Sequence, residues 1–293
     1  MAVEVLRRKI KTTQDLRDIV SNMKMLSSVS IMQYEQADKS LDKYLRNLRD
    51  AFHILALHHC LPQMTTVKAK HPRYLFLLIG TDNGMVGSFN REIVESAKDY
   101  LREKQIVTKD ALFVTVGKRV NVLAESAKLN IYKSYAVSNS LKAVAALSEE
   151  VILNIDEAVR KERISEVWII SHHHREHCAV SVERKQIIPF DIKKLQKLHY
   201  KKWDTNNIPQ IGVAAERLFA ELVNEALMIS VGKEINASLA SEHYTRMTNM
   251  QNAEKNIDEN LEELNLEYQQ QRQEDITDEL IDVISGAEAM KDK

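Results

Sequence analysis

A chain of 293 residues with a formal net charge of −1 and 28% charged residues has neither the basic excess of a nucleic-acid binder nor the footprint of a membrane-surface protein. At 44% apolar but only 6% aromatic it is thin for one large core and suits a helix-rich build. Two cysteines, Cys60 and Cys178, make no disulfide framework and favour a reducing compartment. No run approaches the ~18 apolar residues of a transmembrane helix, and the opening MAVEVLRRKI lacks a signal-peptide core.

The helix breakers punctuate the middle. Pro62, Pro72, Pro189 and Pro209 are the four prolines, Met1 to Leu61 contains neither proline nor glycine, and Asn224 to Ser285 contains only Gly232. Two long helical arms are therefore predicted. At a rise of ~1.5 Å per residue the first reaches roughly 85 Å and the second roughly 100 Å or more. In the first arm Leu16, Ile19/Val20, Met23 and Leu26, then Leu41, Leu45, Leu48, Phe52 and Leu55, recur at steps of three and four and predict one apolar stripe. Between the arms, 74–79 and 111–116 read as short buried strands ended by Gly80 and Gly117, with a helix over 91–104 between them. A helix over 141–162 leads to a strand at 167–171, and 179–188 is its hairpin partner. Strands alternating with helices predict a mostly parallel sheet closed by one antiparallel edge. Lys193, Lys194, Lys197, Lys201 and Lys202 make a basic connector. In the last arm Ala240, Met247, Met250, Ile257, Leu261, Leu264 and Tyr268 mark a heptad seam. The expected organisation is an N-terminal coiled-coil arm over 1–61, a central α/β domain with its connector over 62–205, and a C-terminal coiled-coil arm over 206–293. The fold class is thus α/β plus a long antiparallel two-helix coiled coil. The segments 1–58, 59–204 and 205–293 carry +3, +7 and −11, so the arms have opposite signs, but exposed pairs are individually weak.

Two stretches invite a chemical reading. His172-His173-His174-Arg175-Glu176-His177-Cys178 offers nitrogen and sulfur for zinc or copper. Adjacent side chains at a strand end point in different directions, so the stretch reads as the polar tip of a hairpin. Gly80-Thr81-Asp82-Asn83-Gly84-Met85-Val86-Gly87-Ser88-Phe89-Asn90 looks like a phosphate-cradling loop, but it lacks a Gly-Lys-Ser/Thr ending and the dinucleotide spacing, and reads as a tight turn capped by Asp82 and Asn90. No nucleophile elbow or His-Glu-x-x-His is present, so no catalytic, cofactor or metal site is assigned.

The closing run, from Arg272-Gln273-Glu274-Asp275 through Ile276-Thr277-Asp278-Glu279-Leu280-Ile281-Asp282 to Gly286-Ala287-Glu288-Ala289, resembles the γ subunits of F-type ATP synthases. Arg8, Ile10, Ile19, Met23, Lys24 and Met25 are similar to that family's opening, and Asp82, Gly84, Gly87 and Asn90 to its middle loop, with Val86 where cysteine is usual. The resemblance spans the chain and is weakest from about 118 to 235. It implies a non-catalytic rotor shaft without a cofactor. Its arms would turn inside a hexamer of α and β subunits and drive the β subunits through their states. Its α/β domain would meet the ε subunit and the membrane c-ring, so membrane contact comes only through partners. It further implies that Met23, Lys24, Arg272, Gln273, Thr277 and Glu279 meet the surrounding subunits. A stretch from Leu26 to Lys39 without an earlier basic residue departs from the family pattern and points to a divergent or alternative complex. The expected location is peripheral, on the cytoplasmic face of a bacterial inner membrane. The competing expectation is a coiled-coil tether or scaffold with an α/β docking knob.

Overall fold

The computed structural model describes residues 2–62, 72–137, 140–174 and 180–291. The chain falls into two compact units, Met1–Ser28 with Arg246–Lys293, and Val29–Thr245. Its two long helices are α1 (Ala2–Leu57, 56 residues) and α6 (Ala215–Lys291, 77 residues), about 84 and 115 Å of continuous helix. Absence of internal proline lets both run unbroken. No helix among the described residues is long and apolar enough to cross a membrane.

In the first unit the helices run antiparallel, because Arg17 pairs with Asp258 while Lys24 pairs with the earlier Glu254. The residues of α1 that are wholly or partly covered there are Val3, Leu6, Ile10, Thr13, Val20, Ser21, Met23, Lys24 and Ser27. Most of them, Val3, Leu6, Ile10, Thr13, Val20, Lys24 and Ser27, step by three and four, with the exposed Arg17 in the place between Thr13 and Val20. The predicted stripe holds at Val20 and Met23 and is corrected at Leu16, Ile19 and Leu26, which are 50%, 55% and 68% exposed. The helix carries two competing apolar rows, and the one in register with α6 is the better covered. On α6 the expected seam holds, since Met250 is buried and Ile257, Leu261, Leu264 and Tyr268 are partly so.

The second unit is built on a five-stranded sheet of order β3-β2-β1-β4-β5. The strands are β1 (Tyr74–Ile79), β2 (Ala111–Val116), β3 (Ile131–Tyr135), β4 (Glu166–His173) and β5 (Ser181–Ile188). All pairs are parallel except β4 with β5. The side-chain period of two sends Leu75, Leu77, Ile79, Leu112, Val114, Val116, Val167 and Ile169 to one face. There they pack against Val151, Ile155 and Ala158 of α4 (Leu141–Glu162) and Val231, Ile235 and Leu239 of α6. Phe76, Leu78, Phe113 and Ile170 face the other way, onto Phe89, Ile93 and Ala97 of α2 (Phe89–Glu103) and Val120 and Ala124 of α3 (Lys118–Ser126). Central strands buried on both sides explain their unbroken apolar sequences. A third cluster joins Leu48, Phe52 and Leu55 of α1 to Ala226 of α6 and to Leu198, just after the short α5 (Ile192–Gln196).

The predicted helix over 141–162 and the strands at 74–79 and 111–116 agree with the structure residue for residue. The sequence reading did not foresee α3 or β3. Ile-Tyr-Lys-Ser-Tyr is an edge strand with only Tyr135 buried, so it shows neither a continuous apolar run nor clean alternation.

Candidate functional site

Three places bear on function: the end of the two-helix unit, the polar end of β4, and the loop after β1. In the first unit the pairing of Arg17 with Asp258 and of Lys24 with Glu254 sets the offset between helices. That offset brings the start of α1 opposite residues near 272 of α6, and Gln271 is the last partly covered residue there. Every described side chain beyond it is exposed, including Ile276, Leu280, Ile281, Val283 and Ile284 at 46–69%. Arg272, Gln273, Thr277 and Glu279 therefore stand on helix that α1 no longer accompanies. The Thr277 hydroxyl donates to the Gln273 carbonyl at 2.8 Å, which leaves its second lone pair and the Gln273 amide outward. Among the described residues Arg272 and Glu279 make no ion pair.

Met23 and Lys24 lie elsewhere. Met23 is half-buried, and the Lys24 ammonium is committed to Glu254, whose carboxyl is held below its usual range first by that hydrogen bond. Glu254 and Gln273 are 19 positions apart, about 28 Å along the helix, so the candidate residues form two bands. Sequence reasoning missed the row between them and solvent. Leu16, Ile19, Met25 and Leu26 project from α1 at 50–68% exposure. The signal that finds them is the rival register: the row facing α6 includes Lys24, Ser27 and the exposed but ion-paired Arg17, while Leu16, Ile19 and Leu26 are left outward.

At the end of β4 three consecutive imidazoles go three ways. His172 is fully buried, stacked on Phe89 at 3.7 Å, with Nε2 3.1 Å from Glu92 Oε2. Burial holds its pKa below the ordinary histidine value, so the neutral ring donates from Nε2, and its buried Nδ1 has no partner. His173 Nε2 lies 2.7 Å from Glu234 Oε2 on α6, and His174 stacks on Tyr244 at 3.7 Å. Glu234 is only 3% exposed and also accepts from Ser171 Oγ at 2.9 Å and Lys185 Nζ at 2.7 Å. Burial alone would raise its pKa; the His173 hydrogen bond and the Lys185 charge outweigh it and bring the value down to about 2. This buried carboxylate fastens α6 to β4 and β5. Among the described residues no group of three or more His, Cys, Asp or Glu is disposed to hold a metal. Arg175, Glu176, His177 and Cys178 lie outside the described residues.

The loop after β1 is filled by its own side chains. Asn90 Oδ1 accepts from Thr81 N at 2.9 Å and its Nδ2 donates to Thr81 Oγ1 at 2.9 Å, as expected of a turn cap. Asp82 instead accepts from Lys118 N at 2.8 Å and so caps the start of α3. Gly117 sits at φ +118, where a Cβ would stand 2.7 Å from Thr81 N. The turn thus couples β1, α2 and α3.

Comparison with known proteins bears on the whole chain. The family model described as ATP synthase matches residues 2–290. The ATP synthase gamma chain of Geobacter metallireducens is 26% identical over 296 residues, covering 99% of each chain. That of Clostridium kluyveri is 24% identical over 286 residues, covering 98% of this chain and 97% of the other. Among solved structures, a chain of the Euglena gracilis mitochondrial ATP synthase in its OSCP/F1/c-ring assembly matches with a TM-score of 0.62 at 18% identity, over 99% of this chain and 94% of that one. A chain of the rotor of the same synthase matches with a TM-score of 0.61 at 15% identity, over 94% and 99%. The structural likeness is one of fold.

Proposed function

The chain belongs to the ATP synthase family, aligned end to end with gamma chains, and from that premise we propose that it is the central rotor shaft of an F-type ATP synthase. It is a non-catalytic subunit. The observation that carries the reading is the bare end of α6: beyond Gln271 the helix continues with a polar face of Arg272, Gln273, Thr277 and Glu279 and exposed apolar residues beside it. An isolated helix end of this length has little reason to persist in water without a surrounding partner. Inside a hexamer of α and β subunits it would turn as an asymmetric shaft. Polar contacts suit that motion, because exposed hydrogen bonds and ion pairs are each worth little and can break and reform at every step. A deep apolar socket would instead trap one position. Coupling is then a population shift: each orientation of the shaft favours one of the β-subunit states over the others.

In this reading Arg272, Gln273, Thr277 and Glu279 form the upper contact band and Met23, with the row of Leu16, Ile19, Met25 and Leu26, the lower. Lys24 acts first as a partner of Glu254. The α/β unit meets the ε subunit and the c-ring, and the complex lies peripherally on the cytoplasmic face of a bacterial inner membrane. The test is affinity capture of the tagged chain from its native membranes with an ATPase assay of the eluate. Recovery of α and β subunits in excess over this chain, with ATPase activity, is the expected result. Recovery of the chain alone or as a homodimer overturns the proposal and leaves a tether.

A further inference from the structure

Between α1, α4 and α6 of the second unit opens a cavity of about 270 Å³ that the shaft role does not use. Val144, Ser148, Gly232 and Asn236 are its buried walls and Leu41 and Met228 its half-buried ones, and no charged side chain lines it. Gly232 is the only glycine of α6 before Gly286. A glycine inside a helix is less stable there than an alanine. A Cβ at this position would stand 3.2 Å from Ser148 Oγ, a tight contact with a side chain and not with backbone. The helix therefore gives up stability at the place where a side chain would take up room beside Ser148 and the cavity.

Asn236 is the polar group in this wall that the fold leaves unsatisfied. The residue is only 5% exposed, Oδ1 is buried without a donor, and among the described residues the side-chain amide makes no hydrogen bond. An amide taken out of water without partners is costly, and a molecule that supplies one recovers that cost. Ser148 adds little, because its Oγ already donates to the Val144 carbonyl at 2.7 Å. Walls so largely apolar hold water poorly, since a buried water molecule needs two to four polar partners. An ionic ligand would find no counter-charge here. An apolar cavity of roughly 150 Å³ holds benzene, so this one has room for two fused rings. A hydroxyl both donates and accepts, so it can meet either end of the amide.

We propose that this cavity binds a neutral, largely apolar molecule carrying a hydroxyl, an aryl or alkyl alcohol, with the hydroxyl on the Asn236 amide and the hydrocarbon against Leu41, Val144 and Met228. The site is a property of the second unit and stands or falls independently of the shaft role. The test is fluorescence titration of 2-naphthol with the purified full-length chain, with naphthalene as the probe that lacks the hydroxyl. Saturable binding of 2-naphthol is expected, roughly five- to tenfold tighter than naphthalene, the effect of one hydrogen bond to an otherwise unpaired amide. Asn236→Leu, which keeps the bulk and removes the amide, should bring the two affinities to within about twofold of each other. Ala145→Leu, on the exposed side of the cavity wall, should weaken both about tenfold or more by taking up the space. Ala146→Leu, the same added bulk at an exposed position outside the cavity, should change neither. Both alanines are exposed helix positions where leucine is well tolerated, and circular dichroism checks that the variants fold. Equal affinity for 2-naphthol and naphthalene would overturn the role of Asn236 and with it the class of ligand. Binding by Ala145→Leu as tight as by the unaltered chain would put the probe elsewhere and overturn the site. Absence of saturable binding leaves a solvated cavity and refutes the proposal.

Discussion

Replacing Glu234 by glutamine tests whether the buried carboxylate fastens α6 to the sheet. Glutamine reproduces the size and the neutral form of the side chain, so the expected loss equals the free energy by which the folded protein prefers the ionised form. A pKa brought down from 4.5 to about 2 corresponds to about 3 kcal/mol at neutral pH. Lys185, half exposed, contributes less of this than the geometry of its 2.7 Å contact implies, while His173 and Ser171 are better shielded. Because the folded-state pKa is depressed, this stability is fully present above pH 4.5 and is lost as pH falls through the acid range towards about 2. Urea unfolding of the full-length chain and of Glu234→Gln, compared at a series of pH values from 7 down to about 3, should show a gap of about 3 kcal/mol that narrows with acidification. Equal stability at pH 7, or a gap of constant size across that range, would refute the reasoning.

Three further outcomes are expected. Gly117→Ala should destabilise the α/β unit by about 2 kcal/mol or more, measured by chemical unfolding, because φ is +118 and the added Cβ would meet the Thr81 backbone. Lys24→Gln should cost less than about 1 kcal/mol in helix stability, since its ion pair with Glu254 is partly exposed; a large loss on thermal unfolding would mean that the seam depends on that pair. Gln273→Ala/Thr277→Ala should leave the helix content of the isolated chain unchanged by circular dichroism and weaken coupling or assembly in a reconstituted complex. Unaltered ATPase and synthesis would remove these two residues from the contact band.

Much of this architecture is legible from local rules. Long arms follow from the absence of breakers, since nothing else in the chain interrupts backbone hydrogen bonding for more than 50 residues at either end. The strands β1 and β2 are legible because burial on both faces demands an unbroken apolar run, and α4 because Ser140 caps its start and Ala143 N donates to that hydroxyl. The closing motif, read as a resemblance, singled out Arg272, Gln273 and Thr277 before any geometry was known. What tertiary structure alone decided is which of two apolar rows on α1 faces inward. Periodicity reports that a row exists, but burial depends on the partner's register, and the partner is more than 200 residues away. The row that faces α6 contains Arg17, still exposed, and the partly covered Lys24, polar residues that local hydrophobicity rejects and Asp258 and Glu254 accept. The same limit applies to Glu234, which looks like any surface helix glutamate until Ser171, His173 and Lys185 converge on it from two strands. Local sequence sets which backbone a segment prefers. Contacts between distant segments, which no local window contains, set which of its faces is removed from water and which charges are neutralised.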